Sequence, residues 1–325
     1  MSDLLHCLQS PNPNLVSGAM RCLTMFSTSG HLTDKHLPQL FPKLFPAMLA
    51  IYSSEEGKFS APVRTQSLRV ILSLIQWLLI MRGAYESDAD KLLLELLPPW
   101  MPHFVRVLEY QDISPSSPDM NHAHCKDKIL VLQIVRVLMQ EWAQQFTRQL
   151  PSFLKPIYAS IAQCAEIFQS CVVDEDNIVD DPDEDGDTYS FEMLVFALLD
   201  FLRTIVEYRA FRQALMGQMS HILYYSIFYM QITCEEENRW TDDVNEFVAD
   251  EEAEGYLSLS SSSVRGVCVR LLNELMERAF RDNSSEVMMN AFVVSLNRLV
   301  STWKARRGLN WRLHEAIIYG TGLCA

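Results

Sequence analysis

Residues 181–192 read DPDEDGDTYSFE, so Asp181, Asp183, Asp185, a turn at Gly186 and a distal Glu192 reproduce the D-x-D-x-D-G-x5-E spacing of a calcium loop. Hard oxygen donors at alternating positions, with a Gly to turn the chain, can wrap one Ca2+. The flanks argue the other way. The residues ahead, DEDNIVD, lack the apolar periodicity of a leading helix, Pro182 stiffens the start, and Thr188 stands where an aliphatic side chain is usual. A second cluster, Asn121-His122-Ala123-His124-Cys125, holds three possible metal ligands but no fourth at zinc-site spacing. Both stretches are read as polar loops, and the expectation is no bound metal and no cofactor. There is no G-x-S-x-G, Walker, H-E-x-x-H or G-x-G-x-x-G segment, and the eight His are thinly spread, so no enzyme chemistry is assigned.

The same carboxylates do their chemistry better as a charge field. Of 41 acidic residues, 19 fall in two stretches, 174–187 and 235–254. The first holds Asp174, Glu175, Asp176, Asp180, Asp181, Asp183, Glu184, Asp185 and Asp187 with no base. The second holds Glu235, Glu236, Glu237, Asp242, Asp243, Glu246, Asp250, Glu251, Glu252 and Glu254 against Arg239 alone. Each stretch carries -9, and without them the net charge of -14 becomes +4. Acid concentrated this way steers and captures a basic partner, so these 19 residues are the candidate cargo-binding site. Solvated insertions without a ligand are the plainer alternative. Trp240 and Phe247 within the second stretch read as anchors for it, or as contacts to a partner. Lys304, Arg306, Arg307 and Arg312, interleaved with Trp303 and Trp311, are too few to outweigh a field that repels polyanions, so no nucleic acid is expected.

The elements that must position this charge read as helices. Only 11 Gly are present, which disfavours tight-turned sheets and phosphate loops, and the apolar stretches are built from good helix formers. Leu37-Pro38, Leu97-Pro98 and Leu150-Pro151, each with aromatic and aliphatic neighbours, mark repeated helix starts, because Pro in a first turn sacrifices no hydrogen bond. A degenerate copy follows at 216–232, and Pro42 and Pro46 are expected to bend the first. Between them, stretches such as 125–142 are apolar on several sides and so must be covered by neighbours on several sides. This predicts an all-α, HEAT-repeat superhelical solenoid over 1–325, with helix pairs at 12–54, 61–110, 125–173, 189–234 and 259–303 and a further helix from about Leu309. The two acidic stretches are expected as loops upon it. The longest apolar run, Val70 to Met81, has 12 residues between Arg69 and Arg82, short of a membrane span, so a buried helix and no membrane insertion are expected. Eight Cys without a C-x-x-C pair suit reduced thiols in cytosol or nucleus, and the acidic start MSDLLHC does not read as an export signal.

Four runs then become specific: VDDPDEDGDTYSFEMLVFALLDFLRTIVE from Val179, LYYSIFYMQIT at 223–233, W-x-x-D-x-N-E-F-V-A-D-E-E from Trp240, and WRLHEA at 311–316. Together they resemble the karyopherin-β family of nuclear transport receptors, and the opening CLQSPNPNLVSGAMRCLTMFS is similar to an early repeat of that family. The resemblance implies a HEAT superhelix that shuttles between cytoplasm and nucleus, wraps basic cargo such as core histones and ribosomal proteins, and answers to the small GTPase Ran. It implies an internal piece of such a receptor. The amino-terminal domain that carries much of the family's Ran contact has no counterpart before Leu4, which leaves Ran a partner of the family rather than of this stretch. A HEAT scaffold that assembles other proteins without transport is the runner-up, and a calcium-regulated protein the third reading.

Overall fold

The computed structural model describes residues 2–8, 10, 12–28, 37–54, 58–110, 122–174, 190–255, 263–282, 284–305 and 310–324. These form 17 α-helices, and the chain is all-α with a HEAT-repeat solenoid architecture. It divides into two compact units, one of residues 1–110 and 121–143, the other of 111–120 and 144–325.

The first unit contains α1 (Ser2–Cys7), α2 (Pro13–Thr28), α3 (Leu37–Tyr52), α4 (Ala61–Arg82), α5 (Glu86–Leu96), α6 (Met101–Glu109) and α7 (His122–Glu141). α4 is central and packs against α2, α3, α5 and α7. Two of these neighbours, α2 and α7, run the same way as α4. Thr65 near the start of α4 donates to Asp127 near the start of α7 at 2.6 Å, while Arg82 at its end donates to the Glu141 carbonyl at 2.6 Å. Likewise Trp77 Nε1 donates to the Ser27 carbonyl at the end of α2 at 2.9 Å. Helices of like order lying side by side and parallel are what stacked helix pairs produce. By length and composition α4 could cross a membrane, but 67% of its most apolar window is buried, as suits a core helix covered on several sides.

The second unit contains α8 (Ala143–Phe146), α9 (Leu150–Phe168), α10 (Phe191–Glu207), α11 (Arg209–Arg212), α12 (Met219–Phe228), α13 (Cys234–Asp242), α14 (Val244–Gly255), α15 (Val264–Arg281), α16 (Ser285–Ala305) and α17 (Trp311–Leu323). α9 runs on into a π-helical turn, Gln169–Val173, and a 3-10 turn, Gln213–Gln218, leads into α12. α12 lies beside α16 in parallel: Ser295 Oγ donates to the Ser220 carbonyl at 2.7 Å, and the Tyr224 and Thr302 hydroxyls are 3.3 Å apart. α10 and α15 form the other close pair, and α17 closes on α12, α15 and α16. At Gly320 any Cβ would come within 2.9 Å of Ile227, so only glycine lets α17 approach α12 this closely.

The Leu-Pro reading locates α3 and α9, which begin at Leu37 and Leu150. It misses at Leu97: α5 ends at Leu96, and α6 starts at Met101 with Pro102 in its first turn. The stretch 61–110 therefore forms three helices rather than a pair. Pro42 and Pro46 lie inside the single helix α3. Acidic stretch 235–254 is not a loop but the two helices α13 and α14.

Candidate functional site

α13 owes its existence to its first turn. The Thr233 hydroxyl accepts from the Glu236 amide at 3.1 Å, and the Glu236 carboxylate accepts from the Thr233 amide at 2.8 Å, a reciprocal capping box. Glu235, Glu236 and Glu237 then sit on the positive end of the helix dipole, where carboxylates are favourable. A run of like charge that would expand a coil is thus held in a helix. None of α13 is buried, and α14 is exposed from Val244 to Ala249.

Three of the ten acids of this stretch have structural duties. Glu236 is the capping residue, Glu237 pairs with Arg312 of α17, and Glu246 pairs with Arg239 at 3.1 Å. Asp243 ends α13, its side chain accepting from the Asn245 amide at 2.9 Å. Glu235 and Asp242 are exposed. Asp250, Glu251, Glu252 and Glu254 belong to α14 by backbone, and their side chains lie outside the described part. Trp240 and Phe247 meet edge to face at 5.2 Å and so join α14 to α13.

Of the first stretch, Asp174 is described, while Glu175, Asp176, Asp180, Asp181, Asp183, Glu184, Asp185 and Asp187 lie outside the described residues. The calcium-like spacing falls there too, apart from Glu192 in the first turn of α10. The side chains of 122–124, in the His/Cys cluster, are likewise undescribed, and Cys125 is buried.

The structure brings the roots of the two acidic stretches together through residues the sequence did not single out. Gln169, in the π-helical turn, donates to Asp174 at 2.8 Å. Its carbonyl accepts from the Gln231 amide at 3.0 Å, and Gln231 in turn accepts from Asn310 at 3.3 Å. Asn310 caps α17 by accepting from the Leu313 amide at 2.9 Å. Gln169 and Gln231 are 3% and 1% exposed, so this amide ladder is buried, and each polar group has a partner as burial requires. It ties the end of α9, the end of α12 and the start of α17 directly below Thr233.

Beside the ladder Tyr229 donates to the Ile161 carbonyl at 2.6 Å and packs edge-on to Phe168; burial pushes its phenol well above the ordinary range. Arg265 donates to the Met230 carbonyl at 2.6 Å, forms a bidentate pair with Glu315 at 2.8 and 3.0 Å, and stacks over Tyr319. Phe168, Tyr229 and Arg265, together with Gln231, Thr233 and Glu235, line a cleft of about 160 Å3. That is room for one side chain rather than a small-molecule substrate. The sequence did carry a signal for the ladder: Gln231 interrupts the apolar run LYYSIFYM, where a polar residue needs a buried partner.

No family model matches the chain. Two curated proteins are similar along nearly all of it. Importin-9 of Drosophila melanogaster is 22% identical over 324 residues, which cover 96% of this chain and 29% of that protein. Importin subunit beta-5 of Schizosaccharomyces pombe is 20% identical over 328 residues, covering 97% of this chain and 31% of that protein. The chain thus spans less than a third of the length of the curated relatives it matches.

Proposed function

We propose that this chain is part of an importin-type nuclear transport receptor of the importin-9-like kind, and that it captures basic protein cargo through its acidic stretches without catalysing a reaction. Distant similarity to two importins and a HEAT architecture support the receptor class. The observation that carries the capture is the exposure of α13, none of which is buried and which presents Glu235 and Asp242 to solvent, with α14 exposed over 244–249. Cargo of this class comprises core histones and ribosomal proteins, whose Lys and Arg would take charge-assisted hydrogen bonds from Glu235, Asp242 and the acids of α14 and of 174–187. Shuttling between cytoplasm and nucleus, and release under Ran by the full-length receptor, belong to the same reading.

The test spares the acids whose structural partners are described. Replacing Glu235, Asp242, Asp250, Glu251, Glu252 and Glu254 by Gln or Asn leaves the capping box and the pairs to Arg312 and Arg239 intact. Affinity for core histone dimers is expected to fall about tenfold or more at low salt, since exposed charge pairs contribute about 0.2–1 kcal/mol each. The difference should close as the Debye length shrinks from about 10 Å at 0.1 M to about 3 Å at 1 M salt. Unchanged histone affinity at 0.05 M salt, with helix content preserved, would leave the non-transport scaffold as the better account.

A further inference from the structure

Charge does not explain all of α14. Val244, Phe247 and Val248 stand at i, i+3 and i+4, the spacing of one helical face, and are 69%, 40% and 49% exposed. A stripe of this kind normally faces a core, and most helical stability in proteins comes from packing it. Among the described residues α14 packs against α13, none of which is buried, and the Trp240–Phe247 edge and the Arg239–Glu246 pair belong to that contact. A 12-residue helix with so little cover is marginal by itself, and an apolar face left in water marks a place where something docks.

The charge around the stripe decides what that is. The residues of 235–254 carry -9, so an acidic or neutral apolar segment would be repelled or left unmatched at its rim, and a lipid surface of ordinary negative charge likewise. We propose that the Val244–Phe247–Val248 stripe is a docking surface for a basic amphipathic segment, one whose Lys and Arg flank a bulky apolar side chain. The apolar side chains bury against the stripe while the cations meet Glu235, Asp242 and the other carboxylates of the two helices. The inference rests on the capture of basic cargo proposed above and adds to it a requirement that pure electrostatics does not impose. A lysine-rich tail without apolar residues would be held weakly, and a basic helix with an apolar face firmly.

Two synthetic 18-residue peptides of equal positive charge test this on the 325-residue chain. One carries Leu at every third or fourth position among Lys and Arg; the other carries Ser in those places. Titrated by fluorescence anisotropy, the Leu peptide is expected to bind at least about tenfold tighter, because burying even one large aliphatic side chain is worth that much. Its advantage should survive 0.3 M salt. Val244→Ser and Val248→Ser together, at positions 69% and 49% exposed, should remove the advantage and leave the Ser peptide unaffected; Phe247→Ser should do the same provided that helix content is retained. Equal affinity of the two peptides, or an advantage untouched by the valine substitutions, overturns the docking surface while leaving electrostatic capture in place. Binding of neither peptide at 0.05 M salt overturns both readings.

Discussion

Among individual residues, Asp127 is the one whose surroundings most oppose its charge. It accepts from Thr65 at 2.6 Å and faces the Tyr52 hydroxyl at 3.5 Å, where α3, α4 and α7 meet. Burial is the largest cause and pushes its carboxyl from an ordinary 3.8 up to about 6, against the hydrogen bond from Thr65 and the nearby Arg64 and Lys126. The Tyr52 phenol is raised as well, by burial first and then by Asp127. A folded-state pKa above the unfolded one means that the native state holds the proton more tightly. Stability therefore falls as pH rises from about 4 to about 6, and above 6 the ionised carboxylate is a constant burden of roughly 3 kcal/mol. Asp127→Asn keeps an acceptor for Thr65 and removes the charge. It should raise the melting temperature at pH 7.5 and flatten the pH 4–6 slope seen in thermal melts. The same slope in both proteins would show that Asp127 is well solvated.

At the scale of elements, α13 shows how little holds a helix with no buried residue. Thr233→Ala deletes one half of the capping box, and a cap of this kind contributes about 1 kcal/mol. With no packing to compensate, α13 should fray. Hydrogen exchange of the 234–242 amides should accelerate by about fivefold or more, and histone affinity should drop although Thr233 carries no charge. Protection unchanged from the parent would mean that the Glu237–Arg312 pair alone keeps the helix. The example also marks what could be read from the residues. Helix starts were legible where a Leu-Pro pair marks them, as at Leu37 and Leu150. The acidic stretch was misread because ten acids look like a coil, whereas the Thr233-x-x-Glu236 signature inside it is a helix start. Partners far apart in the chain had no such signature. Asp127 with Tyr52 and Thr65, and the ladder from Gln169 to Asn310, exist because stacked helices bring them together, and a spacing rule sees only neighbours.

For the whole molecule the dominant quantity is the uneven charge. Removing the 19 negative charges of the two stretches would turn a net -14 into +5. The fully neutralised variant should keep the helical circular dichroism of the parent, elute from cation rather than anion exchange, and acquire salt-sensitive retention on heparin, a polyanion the parent should ignore. Retention of the parent itself would mean that local basic patches outweigh the field. The acids therefore say which partners are refused as well as which are drawn in. Underneath them, the amide ladder has a further consequence. Its amides, those of Gln169, Gln231 and Asn310, are neutral donors and acceptors with no proton to lose and no counterion to release, and the first two are sealed from solvent. Ionic strength can switch the carboxylates above it on and off, while the ladder registers nothing. The footing beneath the acidic helices is therefore expected to keep its hydrogen bonds at salt concentrations that screen the carboxylates above it.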